Sequence, residues 1–136
     1  MKLYAKEADS AVFEQFAAGS QTGLCTSRLA FYEIQTTLRR KEAEGTINPG
    51  TAAGTYQRLQ KDAVNGRIRV IEFSADVEMQ FQNVLRLCFQ QTPLVFVRTL
   101  DAIHLAAAIA TGEAEFVATD KRLRAASLFF GLKLFP

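Results

Sequence analysis

The stretch RTLDAIHLAAAIATGEAEFVATDKRL, from Arg98 to Leu123, decides the fold of this chain. Within residues 100–110, Asp101 and His104 are the only ionisable residues in an otherwise apolar run. A helix that is apolar nearly all round is typical of a buried position. A carboxylate that is buried without a partner is strongly destabilising. Asp101 is therefore expected to contact a cation or hydrogen-bond donors.

A short strand follows this helix and ends at a second acid. Phe116, Val117 and Ala118 predict a strand in the core, and Thr119 and Asp120 come where the strand gives way to a further helix. The carboxyl edge of a parallel sheet is where open α/β folds bind their ligands. Asp120 is therefore a candidate site residue.

The rest of the chain alternates in the same way, which predicts an α/β fold with a parallel sheet flanked by helices. Ser27 and Ser74 are suitable N-cap residues for two of the helices, and Pro49 suits the first turn of another. The two helices on either side of Gly45 are expected to form a hairpin. We predict strands at 23–26, 68–73, 116–118 and 132–135, and helices over about 1–18, 28–44, 49–65, 75–89, 100–110 and 121–130.

Length and composition limit the class of protein. A chain of 136 residues predicts one domain, residues 1–136. The 16 basic and 14 acidic residues give a net charge of +2, which permits a nucleic-acid partner without requiring one. Cys25 and Cys88, in a chain without signal-peptide features, indicate buried thiols in a reduced cytoplasmic compartment. No apolar run reaches the roughly 18 residues of a membrane span, so we expect a soluble protein.

Glu33, in SRLAFYEIQTTLRR, is a third candidate acid. It lies four residues after Leu29 and four before Thr37, and so beside the apolar stripe of its helix. Glu33, Asp101 and Asp120 are predicted to converge at one edge of the sheet. Three carboxylates suit Mg²⁺ or Mn²⁺ better than zinc.

Simpler interpretations exist for each of these residues. Asp120 is well placed to be only an N-cap, Asp101 to favour the helix dipole, and Glu33 to lie on the surface. His104 is best interpreted as a hydrogen-bonded core histidine. The remaining candidates are basic residues, which suit a phosphate-binding groove or a solvated face equally well: Arg39, Arg40, Lys41, Lys61, Arg67 and Arg69.

Four segments together resemble the PIN-domain ribonucleases of the VapC toxin type. They are KLYAKE, SRLAFYEI, RTLDAIHLAAA, and FVATDKRLRAAS followed by GLKLF, and the likeness extends over nearly the whole chain. The resemblance implies a parallel sheet flanked by helices and an acidic site that binds Mg²⁺ or Mn²⁺ and cleaves RNA with a metal-activated water. Glu33, Asp101 and Asp120 match acids of the family.

The beginning of the chain departs from that pattern. Similar proteins start with a hydrophobic central strand that ends in a catalytic aspartate, whereas this sequence starts at MKLY. Asp9 is not expected to replace that aspartate, because it follows KLYAKE at a solvent-facing helix end. We therefore expect that Met1 is not the natural start, and that the chain as written is impaired in catalysis.

Three functions remain open at this point. The first is a metal-dependent endoribonuclease of a toxin–antitoxin pair, with an RNA substrate, a cognate antitoxin as partner and a homodimeric state implied by the resemblance. The second is a catalytically inactive PIN-like protein that binds an antitoxin or nucleic acid. The third is a phosphohydrolase that uses Asp101 or Asp120 on small phosphate esters.

Overall fold

The computed structural model of the protein describes Tyr4 and residues 10–20 and 23–136. The chain divides into two compact units, Met1–Ile71 and Glu72–Pro136. Asp9 and all of the KLYAKE segment except Tyr4 lie outside the described residues, and so does most of the helix that was predicted before Ser10.

The first unit alternates helices with two short strands. Gly23, with φ of 77°, precedes the first strand. Its elements in chain order are α1 (Ser10–Gly19), β1 (Leu24–Ser27), α2 (Arg28–Ala43), α3 (Thr51–Val64) and β2 (Ile68–Ile71). Helices α2 and α3 pack against each other, which confirms the predicted hairpin.

The second unit begins with two long helices and ends with a strand–helix–strand segment. The Ser74 Oγ accepts a hydrogen bond from the Val77 N–H at 3.3 Å, so Ser74 caps the first of these helices as predicted. The elements are α4 (Ala75–Phe89), α5 (Thr99–Ala110), β3 (Glu115–Val117), α6 (Lys121–Leu128) and β4 (Lys133–Phe135).

The strands form two parallel pairs. Strand β1 pairs with β2, from Leu24 opposite Ile68 to the ends of both strands, and β3 pairs with β4, with Glu115 opposite Lys133. Lys133 Nζ donates to Glu115 Oε1 at 2.7 Å on this second pair. The α/β class with parallel strands is confirmed, but the described strands form two two-stranded sheets where one sheet was predicted.

The hydrophobic core of the first unit follows helical spacing. Phe31, Ile34 and Leu38 recur every three or four residues along α2, so they share one face of the helix, and all three are buried. They belong to one cluster with Ala52 and Leu59 of α3 and with Ile68 of β2. This cluster holds the hairpin against the β1–β2 pair.

The core of the second unit is built around α5. Ala102 and Leu105 of α5 are fully buried and share one cluster with Leu123 and Ala126 of α6. Val84 and Cys88 of α4 complete the opposite side of the cluster. Small residues along α5 let its neighbours approach closely, and α4 and α5 pack extensively.

Several boundaries and one burial differ from the predictions. Pro49 precedes α3 instead of lying in its first turn, because the N-cap Gly50 has a φ of 86°, a left-handed conformation that cannot belong to the helix. Strand β2 ends at Ile71, two residues early, and β1 is shifted by one residue. Cys88 is buried, which raises the pKa of its thiol, but Cys25 is only half-buried.

Within the described ranges, every helix is too short or too polar to cross a membrane.

Candidate functional site

The turn between β3 and α6 places the carboxylate of Asp120. Ala118 is buried directly after the strand, and its carbonyl oxygen accepts a hydrogen bond from Arg124 Nη1 at 2.8 Å. Asp120 is the N-cap of α6, and its Oδ1 accepts the N–H groups of Arg122 and Leu123 at 2.9 and 3.0 Å. The predicted capping role of Asp120 is thus confirmed. Both capping bonds reach Oδ1, so Oδ2 takes no part in the cap.

The same environment favours the charged form of Asp120. The hydrogen bond from the Leu123 N–H lowers the pKa of this carboxyl, with further contributions from the Arg122 N–H and from the positive charges of Arg98 and Arg122. Partial desolvation opposes these effects but does not outweigh them. Asp120 is exposed, so an ionised carboxylate faces solvent at the end of the strand.

Asp101 lies in the first turn of α5 and is half-buried. It is followed at once by Ala102, which is fully buried against the cluster that also contains Leu123 of α6. Leu123 is three residues after Asp120. The start of α5, which carries Asp101, and the start of α6, which Asp120 caps, therefore pack on the same cluster.

Arg98 is a third charged residue at this place, and the sequence analysis did not assign it to the site. It is the N-cap of α5, three residues before Asp101, and its side chain is exposed. Its positive charge acts on Asp120, so the beginning of α5 lies within electrostatic reach of the cap of α6. The feature of the sequence that could have identified Arg98 is its position at the start of the apolar run.

Glu33 lies in α2, in the first unit. It is half-buried and adjacent to Ile34, whose side chain is buried. Glu33 lies off the face formed by the buried Phe31, Ile34 and Leu38, so its inward orientation stays a prediction. Of the three predicted acids, Asp101 and Asp120 belong to one unit, while Glu33 belongs to the other.

The chemistry of these acids suits a hard divalent cation. Mg²⁺ is held in many sites by one or two carboxylates, with waters and substrate phosphates as its other ligands. Asp101 and Asp120 supply two such groups, and Asp120 is ionised at neutral pH. Among residues 10–20, 23–136 and Tyr4, no three acidic, histidine or cysteine side chains form a metal-binding group. Two carboxylates are therefore the kind of ligand that suits a Mg²⁺ or Mn²⁺ which keeps several water ligands.

The surroundings of His104 and of the basic residues on α2 favour a structural role over a catalytic or binding role. His104 is half-buried on α5. Arg39, which is exposed, lies 3.7 Å from the half-buried Glu42, and Arg40 lies 3.9 Å from Glu44 in an exposed pair. Such pairs contribute little to stability, and they favour the interpretation of this segment as a solvated face.

A polar cluster borders a cleft of about 420 Å³ in the first unit. Tyr4 Oη donates to Asp62 Oδ2 at 2.8 Å, and Arg67 Nη1 lies 3.3 Å from Asp62 Oδ1. The Arg58 guanidinium stacks over the Tyr4 ring at 5.5 Å. Burial, together with the bond to Asp62, raises the pKa of Tyr4 well above its usual range. These groups satisfy one another and tie α3 to the start of the chain.

Comparison with known families agrees with this architecture. A family model of the PIN domain matches residues 1–127, while a search of curated proteins finds no match. Six helices and short parallel strands in the described residues are consistent with a PIN-like fold. PIN domains are a family of nuclease folds that commonly bind RNA and generally depend on divalent metals. Because the match covers nearly the whole sequence, this chain belongs to the PIN-domain family.

Proposed function

We propose that the chain is a metal-dependent endoribonuclease of the VapC toxin type, and that Glu33, Asp101 and Asp120 are its metal ligands. The observation that carries the proposal is that Asp101 lies in the first turn of α5 and Asp120 at the N-cap of α6, two helices that share one core cluster, in a chain that belongs to the PIN-domain family. The whole sequence, residues 1–136, is proposed to form one PIN-like domain.

Different local structures position Asp120 and Asp101 for metal binding. The cap fixes Oδ1 of Asp120 and keeps the carboxylate ionised, so its charge is present without a conformational change. Asp101 is positioned by α5, because the residue that follows it, Ala102, is fully buried in the core cluster. A divalent ion bound there would lower the pKa of a coordinated water and stabilise negative charge on the scissile phosphate. Hydrolysis of RNA by this route needs no side-chain nucleophile.

A toxin role includes a cognate antitoxin, a homodimer and a cytoplasmic location, which we include in the proposal. Exposed apolar side chains support the presence of a protein partner. Phe89, Leu94 and Phe96, at the end of α4 and in the loop that follows, are 44 to 60% exposed. Phe89 and Phe96 are in edge-to-face contact with ring centroids 5.9 Å apart. Clustered apolar groups at a surface are typical of interaction sites.

The test is cleavage of a single-stranded RNA with Mg²⁺ or Mn²⁺ and with EDTA. Because the resemblance implies one acid more than Glu33, Asp101 and Asp120, we expect cleavage by the 136-residue chain to be absent or very weak. This activity should require metal and disappear in Asp101→Asn and Asp120→Asn, which remove a charge with little change in volume. Asp76→Asn is the matched control, because Asp76 is also an exposed acid in the first turn of a helix of the same unit.

Calorimetric titration with Mn²⁺ separates binding from catalysis. Asp101→Asn should weaken Mn²⁺ binding, while Asp76→Asn should bind as the parent chain does. Unchanged affinity in Asp101→Asn would exclude Asp101 as a ligand. A chain that binds RNA without cleaving it would favour the inactive binding protein, and hydrolysis of a small phosphate ester without RNA cleavage would favour the phosphohydrolase.

A further inference from the structure

Arg98 has a position that the proposed metal site does not explain. It is the N-cap of α5, where its extended backbone (φ −79°, ψ 154°) begins the helix and its carbonyl oxygen accepts the Ala102 N–H at 2.8 Å. Its side chain makes no capping bond and is exposed. The backbone therefore anchors Arg98, while the guanidinium group is directed outside the core.

Helices α5 and α6, whose N-caps are Arg98 and Asp120, pack against each other and share one cluster. Ala102 lies one turn after Arg98, Leu123 lies three residues after Asp120, and both are buried in the same cluster. The influence of Arg98 on the charge of Asp120 agrees with this proximity.

The guanidinium is not used up by an ion pair. In the part of the chain that the structure describes, no carboxylate lies within 4.0 Å of Arg98, although Asp120 is close enough to sense its charge. By contrast, Arg86 in the same unit donates to Asn83 Oδ1 at 2.6 Å and to Gln90 Oε1 at 3.4 Å. Arg98 therefore keeps its donors available for a ligand.

We propose that Arg98 is a substrate-binding residue that donates to the non-bridging oxygens of an RNA phosphate beside Asp101 and Asp120. The planar guanidinium presents paired N–H donors that match two oxygens of one phosphate. Two carboxylates alone would repel a phosphodiester, and a cation beside them offsets this repulsion. The inference rests on the proposed ribonuclease function, but it concerns binding and can be tested without catalysis.

The experiment measures binding of a short fluorescent single-stranded RNA by anisotropy, in EDTA, over a range of salt concentrations. Each phosphate contact of a single strand contributes about 0.7 to the slope of log K against log salt concentration. Arg98→Ala should weaken binding several-fold and reduce this slope by about 0.7. Arg98→Lys should keep the slope and recover only part of the affinity, because a lysine cannot bind two oxygens in the same geometry.

Arg86→Ala is the matched control, since it removes the same charge from an exposed position of the same unit. Its slope should remain that of the parent chain. Equal slopes for Arg98→Ala and Arg86→Ala, or no RNA binding by the parent chain, would overturn the inference. Cleavage that depends on Asp101 and Asp120 but not on Arg98 would support the ribonuclease proposal and contradict the role of Arg98. Arg98-dependent binding without cleavage would contradict the ribonuclease proposal and support the role of Arg98.

Discussion

Two strand-to-helix junctions of the described residues, β1 to α2 and β3 to α6, have similar backbones and different uses. Ser27, between β1 and α2, and Asp120, between β3 and α6, are both N-cap residues in extended conformation, with φ of −70° and −69°. Ser27 is buried and its side chain makes no capping bond. Asp120 is exposed and accepts two backbone N–H groups. One turn thus belongs to the core, while the other presents an anion to solvent.

This difference determines how each candidate acid is positioned. At the second junction, the turn itself orients the carboxylate, because Asp120 is the capping residue. At the first junction, the acid comes later, and Glu33 is placed by the second turn of α2 beside the buried Ile34. Asp120 should therefore respond to changes in local hydrogen bonds, whereas Glu33 should respond to changes in helix packing.

The largest expected effect comes from the cores beneath the two junctions. Leu105 and Leu59 are almost fully buried, one in each unit. Leu105→Ala and Leu59→Ala should each lower the free energy of unfolding by about 2 to 5 kcal/mol. If the chain is one domain, urea denaturation followed by circular dichroism should show a single transition that both variants shift. Two transitions, each shifted by only one of the variants, would show that the units unfold separately.

Much of this architecture follows from local sequence. The capping roles of Ser74 and Asp120 were predicted from residue type and from the apolar runs behind them, and the structure confirms both. The hairpin of α2 and α3 was likewise predicted from the glycine between two helical segments, and it is confirmed. Such features depend on a few neighbouring residues, so sequence reasoning reaches them.

Other features depend on contacts between distant residues. The pairing of β1 with β2 and of β3 with β4 is decided by packing between segments, so spacing along the chain cannot specify it. The proximity of Arg98 to Asp120 arises because Ala102 and Leu123 share a cluster, although they are 21 positions apart. The start of α3 was placed too early because Pro49 suits a first helical turn, whereas Gly50 adopts a left-handed conformation.

A smaller effect is expected from the cap of α6, and it distinguishes the two roles of Asp120. Asp120→Ala removes both capping bonds and should cost about 1 kcal/mol of stability. Asp120→Asn keeps an acceptor at the cap and should change stability by only a few tenths of a kcal/mol, although it removes the charge that a metal needs. Urea midpoints and Mn²⁺ titrations of both variants provide the measurement.

Ser74→Ala is a useful reference for these variants, since Ser74 accepts a single, longer bond from the Val77 N–H. Its destabilisation should be smaller than that of Asp120→Ala. If Asp120→Asn lost as much stability as Asp120→Ala, the charge of Asp120 would matter more to the fold than its capping bonds. The contrast between the two junctions would then be electrostatic in origin.

The smallest effect is the pH dependence that Asp120 gives to the second junction. Its pKa in the folded chain is lowered, first by the Leu123 N–H and then by the Arg122 N–H and nearby arginine charges. The unfolded value is about 3.9. A lowered folded pKa means that the stabilisation is fully present above the unfolded pKa and is lost as the pH falls through the folded pKa. Because the side chain is exposed, solvent and salt screen the charge contribution.

Carbon-13 NMR titration of the Asp120 carboxyl measures this effect directly. Its pKa should lie below about 3.9 in the parent chain and rise slightly in Arg98→Ala, because that variant removes a neighbouring positive charge. In Arg86→Ala it should stay unchanged. The stability of Asp120→Asn should fall less steeply with acid than that of the parent chain. A carboxyl that titrates at its unfolded pKa would mean that the cap does not favour the anion, and Asp120 would then differ from Ser27 only in its exposure.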